Sequence, residues 1–150
     1  DVIPIMGLGT HFGLILVYLG GSIGFNSWLI KGFMDTISPS LDEAAKVDGA
    51  SEFQIFSKII APLTRPILIV IFVITFIGIY SDYILAAIFL KDKNLWTVAV
   101  GINTVFVDDF NADWGVIAAS SVIAATPIAM LFIFFQKQIT GGLTAGSVKG

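Results

Sequence analysis

Residues 67–90 read ILIVIFVITFIGIYSDYILAAIFL, a run whose one formal charge is Asp82. A helix crosses the hydrocarbon core of a bilayer with roughly 20 mostly apolar residues, so this run is long enough to span one. Two more stretches, 12–30 and 115–135, carry no formal charge at all. The whole chain is 56% hydrophobic and 13% charged, against about 25% charged residues in ordinary soluble domains. A 150-residue globule has too much surface for its volume to hide that much apolar area, which makes lipid the expected solvent. The fold class that follows is all-α, a polytopic bundle of membrane helices.

Outward from the spans lie a polar insert at 31–66, a middle loop at 91–114 and a tail at 136–150. Three crossings put insert and tail on one side, which holds Lys31, Lys46, Lys58, Arg65, Lys137 and Lys149. The other side holds Lys91 and Lys93 among Asp92, Asp108, Asp109 and Asp113. Basic residues favour the cytoplasmic face, so insert and tail are expected there, with residues 1–11 and the middle loop outside. The chain opens at Asp1 without a signal-peptide pattern and reads as the C-terminal part of a longer protein. A net charge of −3 gives no reason to expect nucleic acid as a partner. With no cysteine and a single histidine, His11, neither disulfides nor a metal site built from those residues are expected.

Inside the spans, Gly20 and Gly24 form a GxxxG spacing, and Ala118, Ser121 and Ala125 recur with Ser120 and Ala124 at helical intervals. Small residues let helix backbones approach closely in lipid, and bundle packing is the preferred reading of both stripes. Pro127 is expected to kink the last span, since it removes a backbone bond and crowds the preceding turn. Asp82, taken as lying near mid-span, is expected to avoid lipid. A packing hydrogen bond is its preferred role, a place on a translocation path the next, and proton relay the least favoured. Tyr80 and Tyr83 beside it suit sugar hydroxyls, although anchoring at the outer interface is the plainer reading. Residues 95–106 are too short to span and read as a short helix at the outer surface, with Trp96 and Trp114 as anchors.

The insert carries its own punctuation. Ser40 and Glu43 match a capping box, and Asp42 and Glu43 suit the positive end of a helix starting there. Gly49 interrupts good helix formers at about 1 kcal/mol relative to alanine. A bend at Asp48-Gly49 is therefore expected between two short helices. The second, with Phe53, Phe56, Ile59 and Ile60, is expected to end at Pro62 and to pack its aromatic face on the bundle. Residues 42–56 hold Asp42, Glu43, Asp48 and Glu52 against Lys46 alone. An amphipathic helix resting on anionic headgroups wants a basic face; an acidic surface with small residues suits a protein groove instead.

Glu43-Ala44-Ala45, Asp48-Gly49-Ala50, Ile59, Pro62 and Pro66 together resemble the EAA loop of binding-protein-dependent ABC importer permeases. Ala61 departs from the leucine usual before that proline. Tyr80-Ser81-Asp82-Tyr83 looks like the Trp-Asn-Glu-Phe-type segment of the sugar branch. The ending from Gly142 to Gly150, GLTAGSVKG, is similar to the smaller permeases of maltose/maltodextrin importers, whose C-terminal half the whole chain resembles. The resemblance implies that Glu43, Ala44, Ala45, Asp48, Gly49 and Ala50 belong to a cytoplasmic coupling helix seated in the cleft of an ATPase subunit, with Glu43 meeting a basic residue. It implies that the tail, through Gly142, Thr144 and Gly146, reaches between two ATPase subunits. The middle loop is implied to approach an extracellular sugar-binding protein, a second permease to complete the pathway, and the bacterial cytoplasmic membrane to be the location. No cofactor is expected in this chain, ATP and magnesium being held by the partner subunits.

Chemistry of its own is not expected. Gly141 and Gly146 have Walker A glycine spacing, but Ser147 stands where the phosphate-binding lysine is needed, so the segment reads as a flexible tail. The stretch from Asp109 through Asn111 and Asp113 starts like a calcium loop, yet Trp114 and Ser120 replace its glycine and its final glutamate. The function expected is that of a permease subunit in an ATP-driven importer of maltodextrin-like oligosaccharides. The alternative is a piece of a secondary sugar transporter driven by an ion gradient; a third possibility is a membrane-anchored assembly subunit. Secondary carriers tend to show internal repeats and interrupted spans with ion ligands, and neither is visible here.

Overall fold

The computed structural model describes residues 7–107 and 114–145, and among them every regular element is helical. In order these are α1 (His11–Met34), α2 (Pro39–Val47), α3 (Glu52–Ile55), a π-helical turn (Phe56–Ile60), α4 (Ala61–Tyr80), α5 (Ile84–Phe89), a 3₁₀ turn (Lys93–Leu95), α6 (Val98–Val107) and α7 (Trp114–Ala145). Three helical stretches are long and apolar enough to cross a membrane: His11–Met34, Glu52–Tyr80 and Trp114–Ile139. Most of their large apolar side chains point outward, Trp28 at 70% exposure and Ile123 at 70% among them. Such surface is costly in water and suits lipid or neighbouring helices.

The chain forms two compact units, Asp1–Ile23 with Ile74–Phe134 and Gly24–Val73 with Phe135–Gly150. In the first unit, Thr10 caps α1 by accepting from the Gly13 amide at 3.1 Å, while its hydroxyl donates to the Gly7 carbonyl at 2.8 Å. The unit's core is Leu14 from α1, Ala86 and Leu90 from around α5, and Val100 from α6. Trp96 and Tyr18 pack against it. Two bonds tie the start of α1 to this layer: the Gly9 amide donates to the Phe89 carbonyl at 2.7 Å, and a ring nitrogen of His11 lies 2.9 Å from the Leu95 carbonyl oxygen. Residues 91–107 of the middle loop are therefore folded, with α6 as their main element. Trp96 is half-buried in that packing, with its ring centroid 5.6 Å from the Lys93 ammonium, and Trp114 is 79% exposed.

The span expected at 67–90 is not one helix. α4 ends at Tyr80, and the chain breaks at Ser81-Asp82-Tyr83 before α5. The cause is local: the Asp82 amide donates to the Ile79 carbonyl in a tightened last turn, and its carboxylate accepts from the Ala86 amide at 3.3 Å. One aspartate both closes α4 and caps α5, which removes it from mid-span.

The second unit holds the insert, and here the helix limits also differ from expectation. α2 begins at Pro39 after Ser38, whose side chain makes no capping bond, and Ser38 and Ser40 hydroxyls pair with each other at 2.8 Å. The capping box expected at Ser40 and Glu43 lies instead at Ser51 and Gln54, where both reciprocal bonds form, at 3.3 and 2.8 Å. Proline at the first helical position costs nothing, because that amide has no partner to lose. Pro62 does not end the second helix. Proline cannot donate to a carbonyl four residues back, and its ring crowds it. The chain absorbs this with one wide turn, in which the Ala61 amide reaches the Phe56 carbonyl five residues earlier. Helix then continues without a break through Pro66 to Tyr80. The aromatic face expected to pack is turned out, with Phe53 76% and Phe56 58% exposed, while Ile55 between them is buried.

α7 runs through Pro127 and on to Ala145, so residues 136–145, expected as tail, are helical. Phe135 packs edge-on against Phe72 with ring centroids 5.9 Å apart.

Candidate functional site

The insert folds into an elbow. α2 ends in a Schellman turn: the Ala50 amide donates to the Ala45 carbonyl and the Gly49 amide to the Lys46 carbonyl, each at 3.0 Å. That closure needs a left-handed residue just past the helix, and Gly49 supplies it with φ of 78°. A β-carbon built on Gly49 would meet nothing within 4 Å, so the demand for glycine is conformational rather than steric. Two residues later Ser51 opens α3 with its capping box.

Lys46 spans the bend. Its ammonium lies 2.9 Å from Asp42 on α2 and 3.1 Å from Glu52 on α3. Hydrogen bonds to Asp42 first and Glu52 second hold its pKa above the ordinary lysine range. All three groups are well exposed, so the pair energies are modest; the triad links α2 to the start of α3 across the bend. The one base of this acidic stretch is thereby engaged by two of its four acids. Glu43 and Asp48 make no ion pair among the described residues, and both are exposed. Around them the elbow presents apolar groups to solvent: Val47 at 88%, Phe53 at 76% and Leu41 at 44% exposure. Ala44 is exposed beside Glu43, while Ala45 is buried. The six elbow residues singled out in the sequence thus fall on one short helix and its closing turn. Lys46, Glu52 and Phe53 belong with them; the spacing of Asp42 and Lys46 was a visible signal for the first, whereas nothing in the linear order announced the second half of the clamp.

Asp82, Tyr80 and Tyr83 come together elsewhere. The Tyr18 hydroxyl donates to the Asp82 carboxylate at 2.6 Å, linking α1 to the α4–α5 break. The Ala86 amide donates to the same oxygen. Tyr18 was missed, since no local pattern points across that separation. Tyr80 and Tyr83 line a cavity of about 430 Å³ with residues of α6 and α7. Of the tail residues, Gly142 and Thr144 lie in α7, and Gly146 is outside the described residues. So is the calcium-like stretch at 109–113. Among the described residues, no group of acidic or histidine side chains is arranged to hold a metal.

Helices able to cross a membrane, two of them joined by an elbow with acidic and apolar groups on display, define a component of a membrane. Comparison with known proteins makes this specific: the chain belongs to the family described as binding-protein-dependent transport system inner membrane component, whose model matches residues 2–143. It is 46% identical over 148 residues to a maltose/maltodextrin transport system permease protein MalG of Vibrio vulnificus, covering 99% of this chain and 49% of that protein. It is 43% identical over 150 residues to the proteins of the same name from Photorhabdus laumondii and Escherichia coli K12, covering all of this chain and 50% of each. The chain spans about half the length of these curated relatives.

Proposed function

We propose that this chain works in a permease subunit of an ATP-driven importer for maltose- or maltodextrin-like oligosaccharides, and that the α2–α3 elbow is its drive point. In this reading the elbow and the end of α7 face the cytoplasm. A partner ABC ATPase, which binds ATP and magnesium itself, grips the elbow. A second permease completes the pathway, and an extracellular binding protein delivers sugar. The observation that carries the reading is the elbow itself. It is closed by a Schellman turn, clamped by Lys46, and still leaves Glu43, Asp48, Val47 and Phe53 available.

The mechanism follows from stiffness and display. A lever transmits displacement only if its own angle does not yield, and the Gly49 turn with the Lys46 clamp holds that angle. Val47 and Phe53 offer exposed anchors that gain by leaving water, about 25 cal/mol per Å² of apolar surface covered. Glu43 offers a carboxylate for a basic partner, and the hydrogen-bonded pair sets register. α3, the wide turn and α4 form one continuous helix, so movement at the elbow is passed to a span. ATP-driven closure must favour one pathway state over the other through different contacts with the elbow, since equal grip in both states shifts nothing.

The test is uptake of radiolabelled maltose into right-side-out vesicles carrying the complete transporter, with ATP enclosed and the binding protein added outside. Uptake that requires ATP and the binding protein supports the proposal, as does a disulfide between a cysteine at position 47 and the ATPase. Uptake driven by an ion gradient without ATP, or labelling of position 47 from outside the cell, would refute it.

A further inference from the structure

We infer that the cavity between the end of α4, α6 and α7 is a subsite for one neutral sugar ring on the permeation route; this rests on the function proposed above. Its volume of about 430 Å³ falls in the range of roughly 300–1,000 Å³ typical of small-molecule sites. Tyr80, Ser81, Tyr83 and Asn103 line it together with apolar residues such as Ile102 and Ala125.

The argument starts from what those polar groups do not do. Several hydroxyls elsewhere in the helices turn back onto their own backbone: Thr64 to Ala61, Thr104 to Gly101, Ser120 to Val116 and Thr126 to Val122, at 2.6 to 3.1 Å. That is how a polar side chain survives in hydrocarbon. Asn103 is the neighbour of Thr104 on the apolar helix α6, is half-buried, and makes no hydrogen bond among the described residues. The same holds for the hydroxyls of Tyr80, Ser81 and Tyr83. Four uncommitted polar groups around one cavity want a hydrated or hydroxyl-bearing occupant, because facing lipid would leave them unpaired.

The rest of the lining narrows the ligand. Among the described residues no charged side chain lines the cavity, which favours a neutral ligand. The Tyr80 ring is held by stacking on Phe76, with centroids 5.5 Å apart and planes 16° from parallel. Its position is further set by the α4–α5 break, which Asp82 pins to Tyr18. The Tyr80 ring offers a flat apolar face to the C–H side of a pyranose, while the amide and hydroxyls meet its rim. A mostly apolar lining with a few polar groups matches that two-sided chemistry.

The test exploits a chain without cysteine. In the complete transporter in vesicles, Asn103→Cys is treated with a water-soluble maleimide during turnover with maltose or with sucrose. Labelling that maltose slows about 3–10-fold, and sucrose does not, supports the subsite. In parallel, Asn103→Ala and Tyr83→Phe are expected to lower maltose uptake about 3–10-fold, the loss for one or two neutral hydrogen bonds. Co-purification of the ATPase and its unstimulated hydrolysis should stay unchanged. A cysteine unlabelled in every state means that protein fills the cavity, and equal labelling with both sugars means that sugar does not visit it; either result overturns the subsite while ATP-driven uptake by the unaltered transporter leaves the proposed function standing. Absence of that uptake would instead refute the proposed function, and the subsite with it.

Discussion

Replacing Gly49 with asparagine, alanine and valine separates the backbone conformation of the elbow from everything else near it. Because a β-carbon there meets nothing within 4 Å, the left-handed φ of 78° sets the main effect. Alanine in that region costs about 1–2 kcal/mol. Asparagine visits it more readily, and valine, branched at the β-carbon, should cost more than alanine. If the turn opens instead, the two Schellman bonds at 3.0 Å are lost, at about 0.5–1.5 kcal/mol each net. A penalty of 1–2 kcal/mol lowers the population of the closed elbow relative to open forms by about 5–30-fold. Hydrogen exchange of the Gly49 and Ala50 amides reads this directly, and ATP-driven uptake reads its consequence. Protection and uptake should fall in the order glycine, asparagine, alanine, valine, with membrane insertion unchanged. Equal exchange rates across the series would show that the left-handed turn is not what closes the elbow. Ordered exchange rates with unaltered uptake would show that its closure does not matter for coupling.

Three further outcomes are expected. Lys46→Met should speed exchange at Ser51 and Glu52 while leaving overall stability little changed, as for other exposed ion pairs; because its partners raise the lysine pKa, the clamp should persist through neutral pH and loosen only as alkaline pH passes above the ordinary lysine range. Tyr18→Phe should destabilise the protein in detergent by about 1.5–3 kcal/mol, the usual worth of a hydrogen bond to a charged group, and Asp82→Asn should add little to it in the double variant; both should keep ATPase attachment, and a fully additive pair would contradict the bond. Phe53→Ser should weaken ATPase co-purification without lowering thermal stability, since the ring is 76% exposed; loss of folding instead would mean that the ring is packed.

The elbow was the most legible part of the chain. Its bend was visible at Asp48-Gly49 because glycine in a run of helix formers is a local signal, and a Schellman turn obeys local rules. Its start was misread because Ser40 and Glu43 have the spacing of a capping box but sit inside a helix that Pro39 already begins, while Ser51 and Gln54 carry the real one. Pro62 misled for a related reason: a proline blocks one backbone bond, and a single wide turn is enough to absorb it. The break at Asp82 was hidden because hydropathy averages over a window, whereas one carboxylate that accepts a backbone amide can end a helix.

Sequence alone determined the solvent, the three apolar stretches and the place of the bend, because transfer into lipid and helix closure depend on residues near one another in the chain. Which faces turn inward was decided only by the tertiary structure. A helix that is apolar all round has no stripe to mark its buried side, so neither the core of Leu14, Ala86, Leu90 and Val100 nor the cavity at Asn103 was readable in advance. The bond from Tyr18 to Asp82 joins residues 64 positions apart, and only packing brings such groups within reach.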